Sequence, residues 1–236
     1  FDGYCLPGMY AEEAMDHFVG KHGQRLRLPN LVDDVSYQHA ISKRKDTYEL
    51  RLKYGIPAKK RVFFCPARLL KLKGLDLFLK SAGKVKGISK ACFLLAGEGP
   101  MKKELQDIAD KENLDVHFMG YCNQDTVIEF YALSDFFFLP SLQDCNPLSA
   151  IEAAFAGLPL CVSIYTGNSP ELIQPYKNGV VFDILDTEEV QACIYFLLNA
   201  SEEWVSNAGR ESLAIAQNSF ACINETKKFL AQLREG

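Results

Sequence analysis

Two acids eight residues apart, Asp144 and Glu152, frame the stretch SLQDCNPLSAIEAAFAG at residues 141–157. The aromatic run DFFFLP just before it reads as a short buried strand. Asn146 is suited to cap a helix and Pro147 to occupy its first position. The helix then runs LSAIEAAFA and stops at Gly157, with Pro159 just beyond. A strand end, a loop and a helix start in this order leave backbone N–H groups unpaired, and such groups bind anions. The chemistry on offer is capture of an anion beside two carboxylates. The plainer reading is a capped helix carrying two solvated acids.

The rest of the chain must position these residues. From Arg61 onward strands and helices alternate. RVFFCPA, ACFLLAG, VHFMG, DFFFLP, LPLCVS and GVVFD read as strands, and LDLFLKSAGKV, MKKELQDIADKE and QDTVIEFYALS as helices between them. PELIQ after the fifth strand reads as a short turn. The strands are continuous apolar runs and not alternating ones, as expected where helices cover both faces. The expected class is α/β, a doubly wound parallel sheet. Three helical segments follow, near residues 186–199, 201–216 and 219–233. Ahead of the series come a strand and turn over residues 1–8, an amphipathic helix over 11–23 and a basic helix over 43–54. In such a sheet ligands bind at the carboxyl ends of the strands. The loops there hold Arg68 and Lys73 after the first strand, Gly97 and Gly99 (in GEGP) after the second and Tyr121 after the third. Taken singly these are surface cations, a plain turn and a rim aromatic.

Taken in order, the motifs resemble the donor-site signature of the family four glycosyltransferases, retaining enzymes of the GT-B fold. Asp144 stands at the first acid of their Glu–seven residues–Glu pattern, and Glu152-Ala153 at the second. Asn146-Pro147 replaces the usual Phe-Gly, and PNLVD, with Leu31 for glycine, resembles the interdomain Pro-Asn-Gly-Val-Asp. Pro170-Glu171 also fits. The resemblance implies the C-terminal, Rossmann-like half of such an enzyme, which binds a nucleotide sugar. Arg68 and Lys73 would hold the donor diphosphate, Glu152 the ribose hydroxyls and Asp144 the sugar hydroxyls. Backbone N–H groups of residues 146 to 149 (Asn146, Pro147, Leu148, Ser149) would hold phosphate and sugar. Cys145, Gly97 and Gly99 would lie beside the donor, and Tyr121 near its base. Fixed cations and a helix N-terminus would take the place of a metal, and the chain contains no Asp-x-Asp pair at a strand end, so neither metal nor cofactor is expected. The implied division is residues 1–23 as the tail of an N-terminal acceptor domain, 24–218 as the nucleotide-sugar domain and 219–236 as a crossover helix. The implied reaction moves a sugar, from a UDP-sugar by preference, to a glycan or lipid-linked acceptor. On this reading most of the acceptor domain is missing, and the fragment alone binds donor without transferring it. An epimerase of similar fold and a nucleotide-sugar-binding module without catalysis are the competing readings.

Composition narrows the rest. The chain has 236 residues, 48% hydrophobic and 24% charged, ordinary for a globular protein. Residues 1–10 lack the charged and apolar parts of a leader. The eight cysteines show no regular short spacing, so buried reduced thiols and a cytoplasmic setting are expected. The four histidines show no metal-ligand spacing. Residues 43–90 hold fifteen Lys or Arg against three acids. That is a solvated basic face or, more sharply, a face for diphosphates or for the anionic inner surface of a membrane. No aromatic interleaving supports nucleic acid.

Overall fold

In the computed structural model, which describes residues 3–235, the chain opens with a strand, Gly3–Leu6 (β1), a helix, Met9–Phe18 (α1), and a second strand, Gln24–Arg27 (β2). Phe1 and Asp2 of the expected first strand, and Gly236 of the crossover segment, lie outside the described residues. β1 and β2 pair in parallel as a separate two-stranded sheet. The expected division at residue 24 therefore falls between two paired strands, and β2 pairs with β1 and not with the strands that follow.

Two helices follow, Asp34–Lys43 (α2) and Thr47–Lys53 (α3), where one over residues 43–54 was expected. The earlier start has a local cause. The Asp33 carboxylate accepts the Ser36 N–H at 3.2 Å and so caps α2.

The alternating series then runs as read. Its strands are Arg61–Pro66 (β3), Ala91–Ala96 (β4), Val116–Gly120 (β5), Phe136–Leu139 (β6), Leu160–Ser163 (β7) and Gly179–Phe182 (β8). The connecting helices are Leu75–Ala82 (α4), Lys102–Lys111 (α5), Gln124–Leu133 (α6), Leu148–Phe155 (α7) and the single turn Ser169–Leu172 (α8). All six strands are parallel, in the order β5-β4-β3-β6-β7-β8. The chain winds outward from β3 to β5, returns to the middle, and winds the other way from β6. The switch point between β3 and β6 is where an open α/β sheet leaves a crevice at its carboxyl edge.

Burial on both faces explains the unbroken apolar strands. Phe63, Phe78, Phe93 and Phe138 are fully buried and meet at ring separations of 4.8–5.9 Å. Helix Thr187–Asn199 (α9) packs against β8 and α4, and Glu202–Ser219 (α10) packs on α7. The last helix, Cys222–Glu235 (α11), returns to the N-terminal unit, where the Arg27 N–H donates to Gln232 Oε1 at 3.0 Å.

The cysteines are free thiols, with Cys65, Cys92 and Cys161 buried in strands. Among the described residues no helix is long and apolar enough to cross a membrane. Part of the basic stretch is ion-paired: Lys43 and Lys53 pair with Glu129, and Arg51 and Arg61 with Asp135.

Candidate functional site

The loop after β6 crosses the switch point and turns into α7. The helix begins at Leu148, with Pro147 extended before it and making no side-chain cap (ψ 123°). This corrects two expectations. Pro147 is outside the helix and, lacking an N–H, cannot serve as one of the anion donors assigned to residues 146 to 149. Nor is Asn146 the cap. Its Oδ1 accepts from Asn168 Nδ2 at 3.2 Å, and its carbonyl accepts from Asn30 Nδ2 at 3.3 Å. Asn146 is thus spent on tying the loop to the segment after β2. The open donors at this end of α7 are the N–H groups of its first turn, among them those of Leu148 and Ser149. At the other end, Arg44 Nη2 donates to the carbonyls of Ala156 and Gly157 at 3.1 and 3.0 Å, a cation where the helix dipole favours one.

The loop splits the predicted residues between two cavities. One, of about 550 Å³, is a cleft on the β3–β5 side lined by Pro66, Cys122, Leu148, Ser149 and Glu152, with Leu31, Asp33 and Tyr37 as its opposite wall. The other, of about 470 Å³, lies on the α1 side and is lined by Asp144, Cys145 and Asn146 together with Pro7, Tyr10, Ala11, Ile164 and Tyr165. Pro147 is buried between them.

Glu152 enters the cleft from the second turn of α7. Burial raises its carboxyl above the ordinary glutamate value of 4.5, while the hydroxyls of Tyr37 and Tyr131 oppose that rise. Tyr131 Oη donates to Glu152 Oε2 at 3.0 Å and also lies 3.1 Å from the Ser149 carbonyl. Neither tyrosine was singled out from sequence. The signal was present in Tyr131, a phenol in the buried stretch of α6, since a buried Tyr hydroxyl needs a partner.

Asp144 has the opposite setting. Its carboxylate contacts the Lys73 ammonium across 71 positions of sequence. The sequence places these two as separate members of one site, and the structure brings them into an ion pair. Arg68 is exposed on the same loop system. Gly97 and Gly99 line neither cavity. Instead they let the turn after β4 press on the Arg68 loop: a Cβ at Gly97 would lie 2.0 Å from the Ala67 carbonyl oxygen, and one at Gly99 2.3 Å from that of Leu69. The Leu69 N–H donates to the Glu98 carbonyl at 3.0 Å along this seam. Tyr121, 86% exposed, lines neither cavity, although its neighbour Cys122 does.

Among the described residues, one group of side chains could share a cation: Cys92, Asp115 and His117, with donor atoms within 4.8 Å of one another. It lies at the amino ends of β4 and β5, away from the crevice. The Lys60 ammonium already contacts Asp115 at 2.9 Å, and burial pushes the Cys92 thiol up to about 12. The group therefore reads as an ion-paired cluster.

Comparison with known proteins agrees with this fold. A family model described as glycosyl transferases group 1 matches residues 46–211. A sulfoquinovosyl transferase of Arabidopsis thaliana is 31% identical over 193 residues, covering 79% of this chain and 36% of that protein. A GDP-mannose-dependent phosphatidylinositol monomannoside mannosyltransferase of Corynebacterium glutamicum is 26% identical over 188 residues, covering 76% of this chain and 48% of that protein. The chain thus spans roughly a third to a half of the length of these relatives. Among solved structures, Anabaena HepE in complex with UDP and glucose superposes with a TM-score of 0.79 at 17% identity, covering 100% of this chain and 64% of that one, a likeness of fold.

Proposed function

Because this chain belongs to the glycosyl transferases group 1 family, we propose that it forms the nucleotide-sugar site of a retaining glycosyltransferase. The observation that carries the reading is the cleft at the sheet's switch point, with a carboxylate, Glu152, and a helix N-terminus on one wall. The donor is a UDP-sugar in preference to a GDP-sugar. UDP in HepE supports the first, and the GDP-mannose dependence of the Corynebacterium relative keeps the second as the competitor. A glycan or lipid-linked acceptor receives the sugar, in keeping with the phosphatidylinositol mannoside in that relative's name.

Each residue has a distinct task. Glu152 accepts hydrogen bonds from the ribose hydroxyls. The N–H groups of Leu148 and Ser149 face the phosphates, and Lys73 and Arg68 supply fixed positive charge. When the bond between the anomeric carbon and the diphosphate oxygen breaks, that oxygen gains negative charge, and preorganised cations and N–H groups stabilise it without reorganisation. Asp144 accepts from hydroxyls of the sugar, on the far side of the loop from Glu152. On this reading Lys73, Arg68 and the first-turn N–H groups of α7 supply the positive charge at the leaving group in place of a metal.

A melting screen with UDP, GDP, ADP and their sugars tests this. A ligand at 100 times its dissociation constant adds about 2.7 kcal/mol of apparent stability. UDP and a UDP-sugar are expected to raise the melting temperature, with or without EDTA. A flat response to every nucleotide would overturn the assignment, and a response abolished by EDTA would overturn its metal-free form.

A further inference from the structure

The two cavities beside the loop after β6 differ in chemistry. The switch-point cleft carries two carboxylates, Asp33 and Glu152. The cavity on the α1 side has a single charged side chain, Asp144, and walls of Pro7, Ala11, Ala14, Leu142, Ile164 and the ring of Tyr165. It is hollow because α1 turns alanines toward it: Ala11 and Ala14 stand three positions apart and so share one face of the helix. Two of its other polar side chains are already engaged. Asn146 accepts from Asn168 Nδ2 at 3.2 Å and donates to the Pro7 carbonyl at 3.5 Å, and the Tyr165 hydroxyl donates to Asp183 Oδ2 at 3.4 Å. The walls are also fastened to each other. The Glu171 carboxylate of α8 accepts the Met9 N–H at 3.3 Å, at the start of α1, and contacts the Arg27 guanidinium. Gly8 leaves room for this approach, since a Cβ there would lie 2.5 Å from Glu171 Oε2.

Lys73 links this cavity to the donor site. Its ammonium contacts Asp144, and in the reading above it holds the diphosphate. The group bonded next to the diphosphate is the sugar, so the sugar is what reaches the cavity. Asp144 accepts from hydroxyls on one edge of the ring, and the edge facing α1 meets carbon. A hydroxyl pressed against those walls has no partner and costs free energy, whereas a methyl group gains by leaving water. Tyr10, Ile164 and Tyr165 leave an apolar surface open around the cavity, of the kind that marks a binding site. We infer that this cavity selects a nucleotide sugar with a methyl-terminated substituent, a 6-deoxyhexose or an N-acetylhexosamine, over a plain hexose, and that Ala11, Ala14 and Ile164 determine the selection. This rests on the donor-site reading above and adds to it the class of sugar transferred.

The test is titration of the wild-type chain, Ala11→Leu and Ile164→Ser with UDP, UDP-glucose, UDP-N-acetylglucosamine and UDP-6-deoxyglucose. The wild type should bind one of the two methyl-bearing donors about fourfold more tightly than UDP-glucose, the worth of one methyl group taken out of water. Preference for either supports the inference, and the one preferred tells whether the acetamido group or the C6 methyl faces α1. Ala11→Leu fills the hollow with a residue that suits a helix, and Ile164→Ser puts a hydroxyl into the opposite wall. Each should bring the preference to about one. Should Ala11→Leu fail to fold, Ile164→Ser, at an exposed loop position, carries the test alone. A wild type that binds UDP-glucose as tightly as both other donors would overturn the inference and leave the donor-site reading standing. So would a preference that survives in the folded variants. Equal affinity for the three donors, with submicellar octyl glucoside raising the melting temperature of the UDP-bound wild type and not of Ala11→Leu, would give the cavity to the apolar part of an acceptor and overturn it too. Failure of the wild type to bind UDP or any UDP-sugar would overturn the donor-site reading as well.

Discussion

Asp144 and Glu152 stand eight positions apart in one loop and helix, yet the protein treats them in opposite ways. Glu152 accepts from one neutral donor, the Tyr131 hydroxyl, and burial raises its carboxyl. Asp144 lies at the rim of an apolar cavity with an ammonium group against it. A carboxylate held by a neutral phenol keeps open acceptor positions. One paired with lysine is already neutralised and yields only when a ligand competes for the cation. Acids that look like a matched pair in sequence can therefore serve different parts of one ligand.

The largest expected effect separates them directly. Glu152→Gln should lower affinity for the nucleotide by roughly 1.5–3 kcal/mol, the worth of hydrogen bonds to a charged acceptor. Asp144→Asn should not weaken the nucleotide, since it frees the Lys73 ammonium for the diphosphate, and should reduce the advantage of nucleotide sugar over nucleotide. Calorimetric titration of both variants with UDP and a UDP-sugar checks this, and like behaviour in both would erase the distinction.

A smaller effect asks which acid Lys73 works with. Lys73→Ala should weaken nucleoside diphosphate binding, and its effect should be non-additive with Asp144→Asn by about 0.5 kcal/mol or more, as for residues in contact. With Glu152→Gln it should add. A double-mutant cycle on UDP affinity that couples Lys73 to Glu152 and not to Asp144 would reverse the assignment.

The smallest effect is on the fold. A carboxyl whose folded pKa is raised binds more protons folded than unfolded between its ordinary and raised values. Its contribution to stability is then present at low pH and lost as pH rises through the raised value. Glu152→Gln removes that loss, so at pH 7 its melting temperature should equal or exceed that of the wild type. Asp144→Asn, which breaks a pair partly open to solvent, should lower stability by less than about 1 kcal/mol. Thermal melts at pH 5 and 7 distinguish these signs.

The sheet was legible in the sequence because its strands are local apolar runs. β5 spans the five residues VHFMG read as a strand, and β6 lies within DFFFLP. The helix α2 was not, since only Tyr37 and Ala40 of its ten residues are buried and its pattern is weakly amphipathic. Arg68, Lys73, Asp144 and Glu152 could be named from their place after strands. That Lys73 would close on Asp144, and that the loop would divide the acids between two cavities, depends on contacts with α1 and the β7 loop. No spacing encodes those contacts. Pro147 shows the same limit at closer range. Local preference puts proline inside the helix, but the ties from Asn146 to Asn30 and Asn168 fix the loop one residue further on.

The seams at Gly97 and Gly99 bear on how this site could change over evolutionary time. The turn after β4 and the Arg68 loop touch backbone to backbone, and the same holds between the loops after β6 and β7, where a Cβ at Gly167 would lie 1.9 Å from the Cys145 carbonyl oxygen. Loops interlocked in this way cannot lengthen, shorten or shift one at a time. A new donor preference would have to be acquired by exchanging side chains that project from a fixed frame, such as those at positions 68, 121 and 145. Drift at the frame glycines would be purged while drift at those positions is free to be sampled.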